Sequence, residues 1–211
     1  MRFPLPLLAL CLGCTHVYGT IDGEEVPVSS TFYAESERYF GNDGLIVVYL
    51  GYAEGGCEMM SAFLEDMDDA DGGRERVDVW EEYMPEDFWD IQLKIRVDDP
   101  DDEMAGVQLD GADWDTLLGD DDEISVTARH YTDYPTENSF TWWGWVTGEV
   151  ADYYDTYSSD DGEGEINAYD PGAHIRGSFS TEMVDEDGDS EGEVTFNFSA
   201  NRCRDIEDYV F

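Results

Sequence analysis

The chain has 211 residues, with 52 acidic side chains against 10 basic ones and a formal net charge of −42. Aromatic residues make up 14% of the sequence and hydrophobic residues 41%, which is too rich for a disordered acidic tail and indicates a folded core in an acidic shell. Such a shell argues against nucleic acid and anionic membrane surfaces as partners, and is compatible with a basic protein partner. The acidity serves either adaptation to salt or the binding of cations, and the sequence leaves both open.

The N-terminus has the pattern of a secretory signal. Arg2 is followed by a short apolar run, Leu5–Leu12, and then by small residues. Cleavage before Cys14 would give a signal peptide of residues 1–13 and a lipidated Cys14, which anchors the exported protein to the cell envelope. Cleavage after Gly19 is the alternative, with residues 1–19 removed and a secreted or periplasmic product. We expect residues 14–29 to form a tether, followed by a single domain over residues 30–211.

The first half of the domain contains two predicted strands and one predicted helix. Ser30–Phe40 is predicted to be a strand, and Leu45–Tyr52 is apolar throughout, which is typical of a central strand buried on both faces. Glu58–Asp69 has apolar residues at a spacing of four and is the only helix predicted, of three turns at most. We expect the aromatic segment Arg74–Asp90 to be irregular and to close one end of the core.

The second half alternates apolar and polar residues in several segments. In Ile91–Val97 the odd positions are apolar, while Gln92, Lys94 and Arg96 share the other face, where we expect carboxylates from neighbouring strands. Further strands are predicted at Glu123–Tyr131, Ser139–Val150, Gly164–Tyr169, Ala173–Val184 and Glu191–Cys203, with a hairpin turn at Asp187-Gly188. About eight strands with scarcely any helix predict an antiparallel β-sandwich, with a β-barrel as the alternative.

Two cysteines remain outside the N-terminal segment. Cys57 follows the apolar strand and Cys203 ends the last one. In an exported protein the oxidising environment favours a disulfide between them. A free reactive thiol is the weaker alternative.

Several of these features occur together in a known group of proteins. A signal ending in Cys, a Cys after an early apolar strand, the Gly-Ser-Phe-Ser segment at Gly177–Ser180 and the Phe-Ser-Ala-x-x-Cys segment at Phe198–Cys203 follow one another in order. In this the chain resembles the uncharacterised exported β-rich lipoproteins of the myxobacterial type. The resemblance implies a small β-sandwich with a disulfide from Cys57 to Cys203, and it implies no catalytic residues.

The best local signal for a metal lies in the predicted hairpin. Asp185, Asp187, Asp189 and Glu191 alternate along the turn and could converge on Ca²⁺, which prefers oxygen ligands. The segment lacks the Gly and Glu of a complete EF-hand loop. An acidic hairpin without a metal is the alternative, and we expect no other cofactor.

The function indicated by the sequence is binding or structural support rather than catalysis. The chain has no G-x-S-x-G, no H-E-x-x-H and no Gly-rich phosphate loop, so we expect no enzyme. We therefore expect an envelope-anchored binding or structural module. The alternative is a carbohydrate-binding domain in which Trp143 and Trp145 present an exposed pair of rings to a glycan.

Overall fold

The computed structural model describes residues 15–36, 44–51, 56–97, 104–111, 123–140 and 153–209. Within them the chain forms eleven β-strands, two α-helices and two short 3₁₀ helices, so the all-β prediction is confirmed. The strands are β1 (His16–Ile21), β2 (Glu24–Glu25), β3 (Thr31–Ser36), β4 (Gly44–Leu50), β5 (Phe88–Val97), β6 (Gln108–Gly111), β7 (Glu123–Tyr131), β8 (Tyr154–Ser159), β9 (Glu163–Asp170), β10 (His174–Val184) and β11 (Ser190–Arg202).

The strands form one large sheet that folds over into two layers. One layer has the order β3-β4-β5-β7-β8, and the other has β1-β11-β10-β9-β6 with β2 at its edge. Three pairings of two residues each join the layers, namely β11 with β3, β6 with β7 and β8 with β10. The first two are parallel, and the rest of the described pairings are antiparallel. Because these links are short, the sheet folds into a two-layer sandwich. It is not a closed barrel, which was the alternative predicted from the sequence.

The main core fills the space between the two layers. Alternating residues of β5 and β7 meet those of β10 and β11 there, and side chains such as Ile91, Leu93, Phe196 and Phe198 are almost completely buried. The period of two seen in the sequence thus corresponds to one apolar face on each strand.

A second apolar cluster covers the outer face of the first layer. It includes Leu45 and Val47 of β4, which explains why that strand is apolar on both faces. The cover consists of α1 (Gly56–Asp69), α2 (Gly73–Tyr83) and the 3₁₀ helix Arg204–Tyr209.

The helical cover differs from the prediction in its second helix. The segment Arg74–Asp90 is not irregular, because its first part belongs to α2 and its last residues begin β5. Trp80 is the buried residue of α2, and Met84, which is also buried, caps the helix by donating its N–H to the Trp80 carbonyl at 2.8 Å. The prediction of at most one short helix was therefore wrong.

The segment predicted as a tether also contains structure. His16–Ile21 is strand β1, and His16 to Gly19 pair with Asn197 to Val194 of β11. Thr15 Oγ1 accepts a hydrogen bond from the backbone N–H of Ser199 at 3.1 Å. The sheet therefore begins next to Cys14, which itself lies outside the described residues.

Across the described part of the chain, no helix is both long and apolar enough to span a membrane.

Candidate binding site

The candidate site lies on the outer face of the first layer, where the apolar cover ends. Because the apolar residues of β5 and β7 point into the main core, their alternate residues point outward. The register places Asp90 opposite Arg129, Gln92 opposite Thr127 and Lys94 opposite Ser125. Two cations, a carboxyl and several neutral polar groups therefore share one patch, between the helices and the β10–β11 hairpin.

Three cavities that share lining residues form a groove, which crosses this patch and continues past β8 to the hairpin. The central cavity has a volume of about 680 Å³, and its lining includes Lys94, Thr127, Arg129, Tyr154, Thr156, Ser158 and residues 185–188 of the hairpin. Its size falls within the range of about 300–1,000 Å³ that is usual for ligand pockets.

The helical cavity adjoins it on one side and shares Lys94 and Arg129 with it. It has a volume of about 400 Å³ and lies between the sheet and the helical cover. The side chains that the helical cover contributes to it are apolar, whereas the sheet contributes polar groups as well; its lining includes Val47, Tyr49, Met60, Phe63, Leu64, Trp80, Asp90, Gln92, Tyr131 and Ile206.

The acidic cavity adjoins the central one on the other side and shares the hairpin with it. It has a volume of about 330 Å³, and six carboxylate residues line it, namely Asp22, Asp155, Asp185, Glu186, Asp187 and Glu191. Burial and the neighbouring Asp22, Asp185 and Asp189 raise the pKa of Glu191, which shows how closely the carboxylates crowd here.

Asp90 and Arg129 form the fixed part of the groove floor. Asp90 Oδ2 accepts hydrogen bonds from Gln92 Nε2 at 3.1 Å and from Arg129 Nη1 at 3.4 Å. Burial raises the pKa of Asp90, and Arg129 and Gln92 oppose that shift. The Arg129 guanidinium also lies 5.9 Å from the centre of the Tyr154 ring. These contacts hold Arg129 in a defined orientation.

Lys94 is unusual in this chain. It is the only lysine, in a sequence with 52 acidic residues, yet it has no ion pair or hydrogen bond with any described residue. Burial and the nearby Arg129 lower its pKa, which means that the groove holds its positive charge at a cost. An ammonium group in this position is available to a ligand.

Three buried polar atoms beneath the groove also lack a partner among the described residues. They are Asp90 Oδ1, Ser125 Oγ and Thr127 Oγ1, and each of these residues is at least 94% buried. A buried polar group without a partner costs about 1–3 kcal/mol. Thr127 lines the central cavity and Asp90 the helical cavity, so two of these atoms belong to residues at which a polar ligand could complete the hydrogen bonding.

Aromatic side chains form the wall next to Arg129. Phe88 and Tyr131 stack with ring centres 4.5 Å apart, and Trp80 and Tyr154 contact Tyr131 at 5.4 and 5.1 Å. Burial is the main cause that raises the pKa of Tyr131 far above its usual value. The stacked rings form a packed wall, in which the Tyr131 hydroxyl stays neutral.

The predicted cysteine pair lies at disulfide distance. The sulfur atoms of Cys57 and Cys203 are 2.01 Å apart and their Cα atoms 5.5 Å apart. Since Cys57 is at the start of α1 and Cys203 follows β11, the bond ties the helical wall of the groove to the end of the sheet.

The predicted calcium ligands lie on the hairpin, with Asp185 already engaged by the turn. Asp185 Oδ1 accepts hydrogen bonds from the backbone N–H groups of Asp187 and Asp189, both at 2.9 Å, and Gly188 adopts a positive φ of 81°. Within the described ranges no three His, Cys, Asp or Glu side chains gather in a way that could hold a metal ion. The calcium site at Asp185, Asp187, Asp189 and Glu191 stays a prediction.

Two other predicted sites lie outside the described residues. These are the tryptophan pair Trp143 and Trp145 and the lipidation site Cys14. Both stay predictions.

The sequence placed Lys94 on the polar face of β5 but gave no indication of its partners in the groove. Asp90 is 4 positions from it on the same strand, outside the strand bounds that the sequence predicted, and Arg129 is 35 positions away and reaches it only through the pairing of β5 with β7. The one available signal was the isolation of a single lysine in an acidic sequence.

No protein-family model matches the chain, and no match was found among curated proteins or among solved structures.

Proposed function

We propose that this chain is an exported, lipid-anchored and non-enzymatic module that binds a ligand in the groove over β5, β7 and β8. The observation that carries the proposal is the state of Lys94, which lies beside the oriented Arg129 without a partner among the described residues. In an acidic chain a surface lysine readily finds a carboxylate. Among the described residues, Lys94 forms no ion pair with the carboxylates around it, namely Asp90 on its own strand and those of the hairpin. A lysine in this position is better explained by a ligand that carries negative charge.

Strand β1 supports the lipoprotein form of the proposal. Cleavage after Gly19 would remove His16 to Gly19, the four residues whose Cα partners lie in β11. Cleavage before Cys14 keeps the whole strand and leaves one residue, Thr15, between the lipid-bearing cysteine and β1. The sheet would then lie close to the membrane surface, without a long tether.

Anchoring is tested by expressing the full chain and its Cys14→Ser variant. The full chain should partition into the detergent phase with a mature N-terminus at Cys14, and the variant should be released. A mature N-terminus at Thr20, measured by mass spectrometry, would contradict the lipid anchor.

Binding is tested by a thermal-shift screen of the mature domain against small metabolites, short peptides and glycans. At least one class should raise the unfolding temperature, and Lys94→Gln should weaken its binding at least tenfold, the equivalent of one charge-assisted hydrogen bond. Arg176→Gln is the matched control, because it removes the same charge from the exposed face of β10. A ligand that binds Lys94→Gln as tightly as the unmodified domain would rule out the groove.

The carbohydrate-binding alternative involves Trp143 and Trp145. A glycan array on the same domain, repeated with Trp143→Ala and Trp145→Ala, tests it separately from the groove.

A further inference from the structure

The three cavities of the groove differ in charge along their length. The helical cavity has the apolar side chains of the helical cover on one wall, the central cavity has Lys94 and Arg129 on its floor, and the acidic cavity has six carboxylate residues. A ligand that fills all three therefore needs an apolar end, an anionic group next to it and positive charge further along.

A small anion matches only part of this pattern. It would satisfy Lys94 and Arg129, but it would leave the apolar side chains of the helical cavity and the carboxylates of the acidic cavity without a partner. A purely cationic ligand has the opposite problem, since Lys94 stands between it and the apolar cavity. The order of the charges thus selects a bipolar chain.

We propose, on the basis of the binding function proposed above, that the groove takes the C-terminal end of a basic peptide. The terminal carboxylate lies against Lys94 and Arg129, the last side chain is apolar and enters the helical cavity, and upstream Lys or Arg residues lie in the acidic cavity. The buried hydroxyl of Thr127, which lines the central cavity without a partner among the described residues, is placed to bond the polar end of the peptide.

Asp90, on the floor of the helical cavity, can accommodate the terminal carboxylate of the peptide close to it. Asp90 Oδ2 is occupied by Gln92 and Arg129, whereas Oδ1 has no partner among the described residues and borders the cavity. Burial raises the pKa of Asp90, which lowers the cost of protonating it when a ligand carboxylate approaches, and a protonated carboxyl donates a hydrogen bond to a carboxylate.

The test uses isothermal titration calorimetry on the mature domain at physiological salt. The probe is the hexapeptide AKKAAL as its free acid, compared with the C-terminal amide of the same sequence. The amide carries one more positive charge overall, so unspecific attraction to an acidic protein would favour it. The proposal predicts the reverse, with the free acid binding at least tenfold more tightly.

Two further peptides test the remaining parts of the groove. AEEAAL, which lacks the basic residues, and AKKAAD, which lacks the apolar end, should each bind at least tenfold more weakly than AKKAAL. Lys94→Gln should remove the difference between acid and amide, and Asp187→Lys should reduce the preference for lysine over glutamate. Arg176→Gln should leave all these affinities within twofold, and the unfolding temperature of each variant shows that it is folded.

The results separate this inference from the proposed function. Equal or tighter binding of the amide overturns the peptide inference. If none of these peptides binds while another ligand class depends on Lys94, the groove is a binding site but not for peptides. If AKKAAL binds and Lys94→Gln changes nothing, both proposals are wrong.

Discussion

Arg202 shows how single residues hold the short junctions of this fold. Its Nη1 lies 2.6 Å from Glu35 Oε2 and its Nε donates to Glu207 Oε1 at 2.5 Å, while the Tyr169 hydroxyl donates to Glu35 Oε1 at 3.0 Å. Glu35 is 6% exposed. The cluster lies where β11 meets β3 through a parallel pairing of only two residues. Side-chain contacts therefore reinforce a junction that has few backbone hydrogen bonds.

Replacement of Arg202 with Met should destabilise the domain by about 3 kcal/mol, because Glu35 would stay buried without its cation. Chemical denaturation measures this loss. The double variant Arg202→Met with Glu35→Gln removes the unpaired charge and should recover part of the loss. A single variant as stable as the unmodified domain would mean that the Glu35 carboxylate is not held in the charged form.

Buried tyrosines give a second expectation at the same scale. Burial raises the pKa of Tyr153 and of Tyr157 to about 12, above the ordinary value of 10. The folded state thus binds these protons more tightly than the unfolded state does, so their contribution to stability is present below pH 10 and is lost as the pH rises through 12. Ultraviolet absorbance of tyrosinate should accordingly rise together with the loss of circular dichroism between pH 10 and 12. Tyrosinate formation near pH 10 for all tyrosines, with the fold intact, would contradict the burial of these side chains.

At the scale of elements, the disulfide and the last 3₁₀ helix act together. Directly after Cys203, Arg204–Tyr209 forms a 3₁₀ helix with Ile206 buried in the cluster under α1. The Cys203 N–H also bonds the carbonyl of Tyr33 at 2.6 Å. The bond between Cys57 and Cys203 therefore fixes α1, β3 and the C-terminal helix at one point.

Loss of this bond, by reduction or by Cys203→Ser, should cost about 2–5 kcal/mol, the usual range for a native disulfide. Hydrogen exchange should increase first in α1 and in Arg204–Tyr209, whereas β10, in the other layer, should stay protected. Cys57→Ser serves as the matched variant and should give the same pattern. Equal protection of α1 before and after reduction would show that packing alone holds the helical cover.

The elements also show which parts of the fold could be predicted from the sequence. The strands β5, β7, β10 and β11 were predicted because each buries one face in the main core and the alternation of apolar and polar residues marks that face, whereas β4 was predicted from its continuous apolar run. The helix α2 was missed because its buried face is small, with Trp80 its one fully buried residue, and aromatic residues are equally common in strands. Strand β1 was missed because its residues directly follow the signal pattern, so they were interpreted as the cleavage region and the tether.

At the scale of the molecule, the groove depends on contacts that no local pattern contains. Lys94, Arg129 and the hairpin at Asp187 come from three separate parts of the sequence, and the folded sheet joins them in one cavity. The alternation of β5 predicted only that Lys94 faces outward. Its position between Arg129 and the hairpin depends on how the neighbouring strands pair, which composition does not encode.

The net charge of −42 gives the last expectation for the whole molecule. Carboxylates are spread along the entire sequence, and the acidic cavity alone gathers six of them, so the folded state confines more repulsion than the expanded chain does. Added salt shortens the screening length from about 30 Å at 0.01 M to about 3 Å at 1 M, which weakens repulsion between exposed charges more than it weakens the buried pair of Arg202 and Glu35. The midpoint of thermal unfolding should therefore rise between these NaCl concentrations.

The comparison of Ca²⁺ with Mg²⁺ at equal ionic strength separates screening from a specific site, because screening treats the two ions alike. A midpoint that does not change with NaCl would mean that repulsion among the carboxylates is already relieved in the folded state, whereas a much larger effect of Ca²⁺ would support the predicted site at residues 185–191.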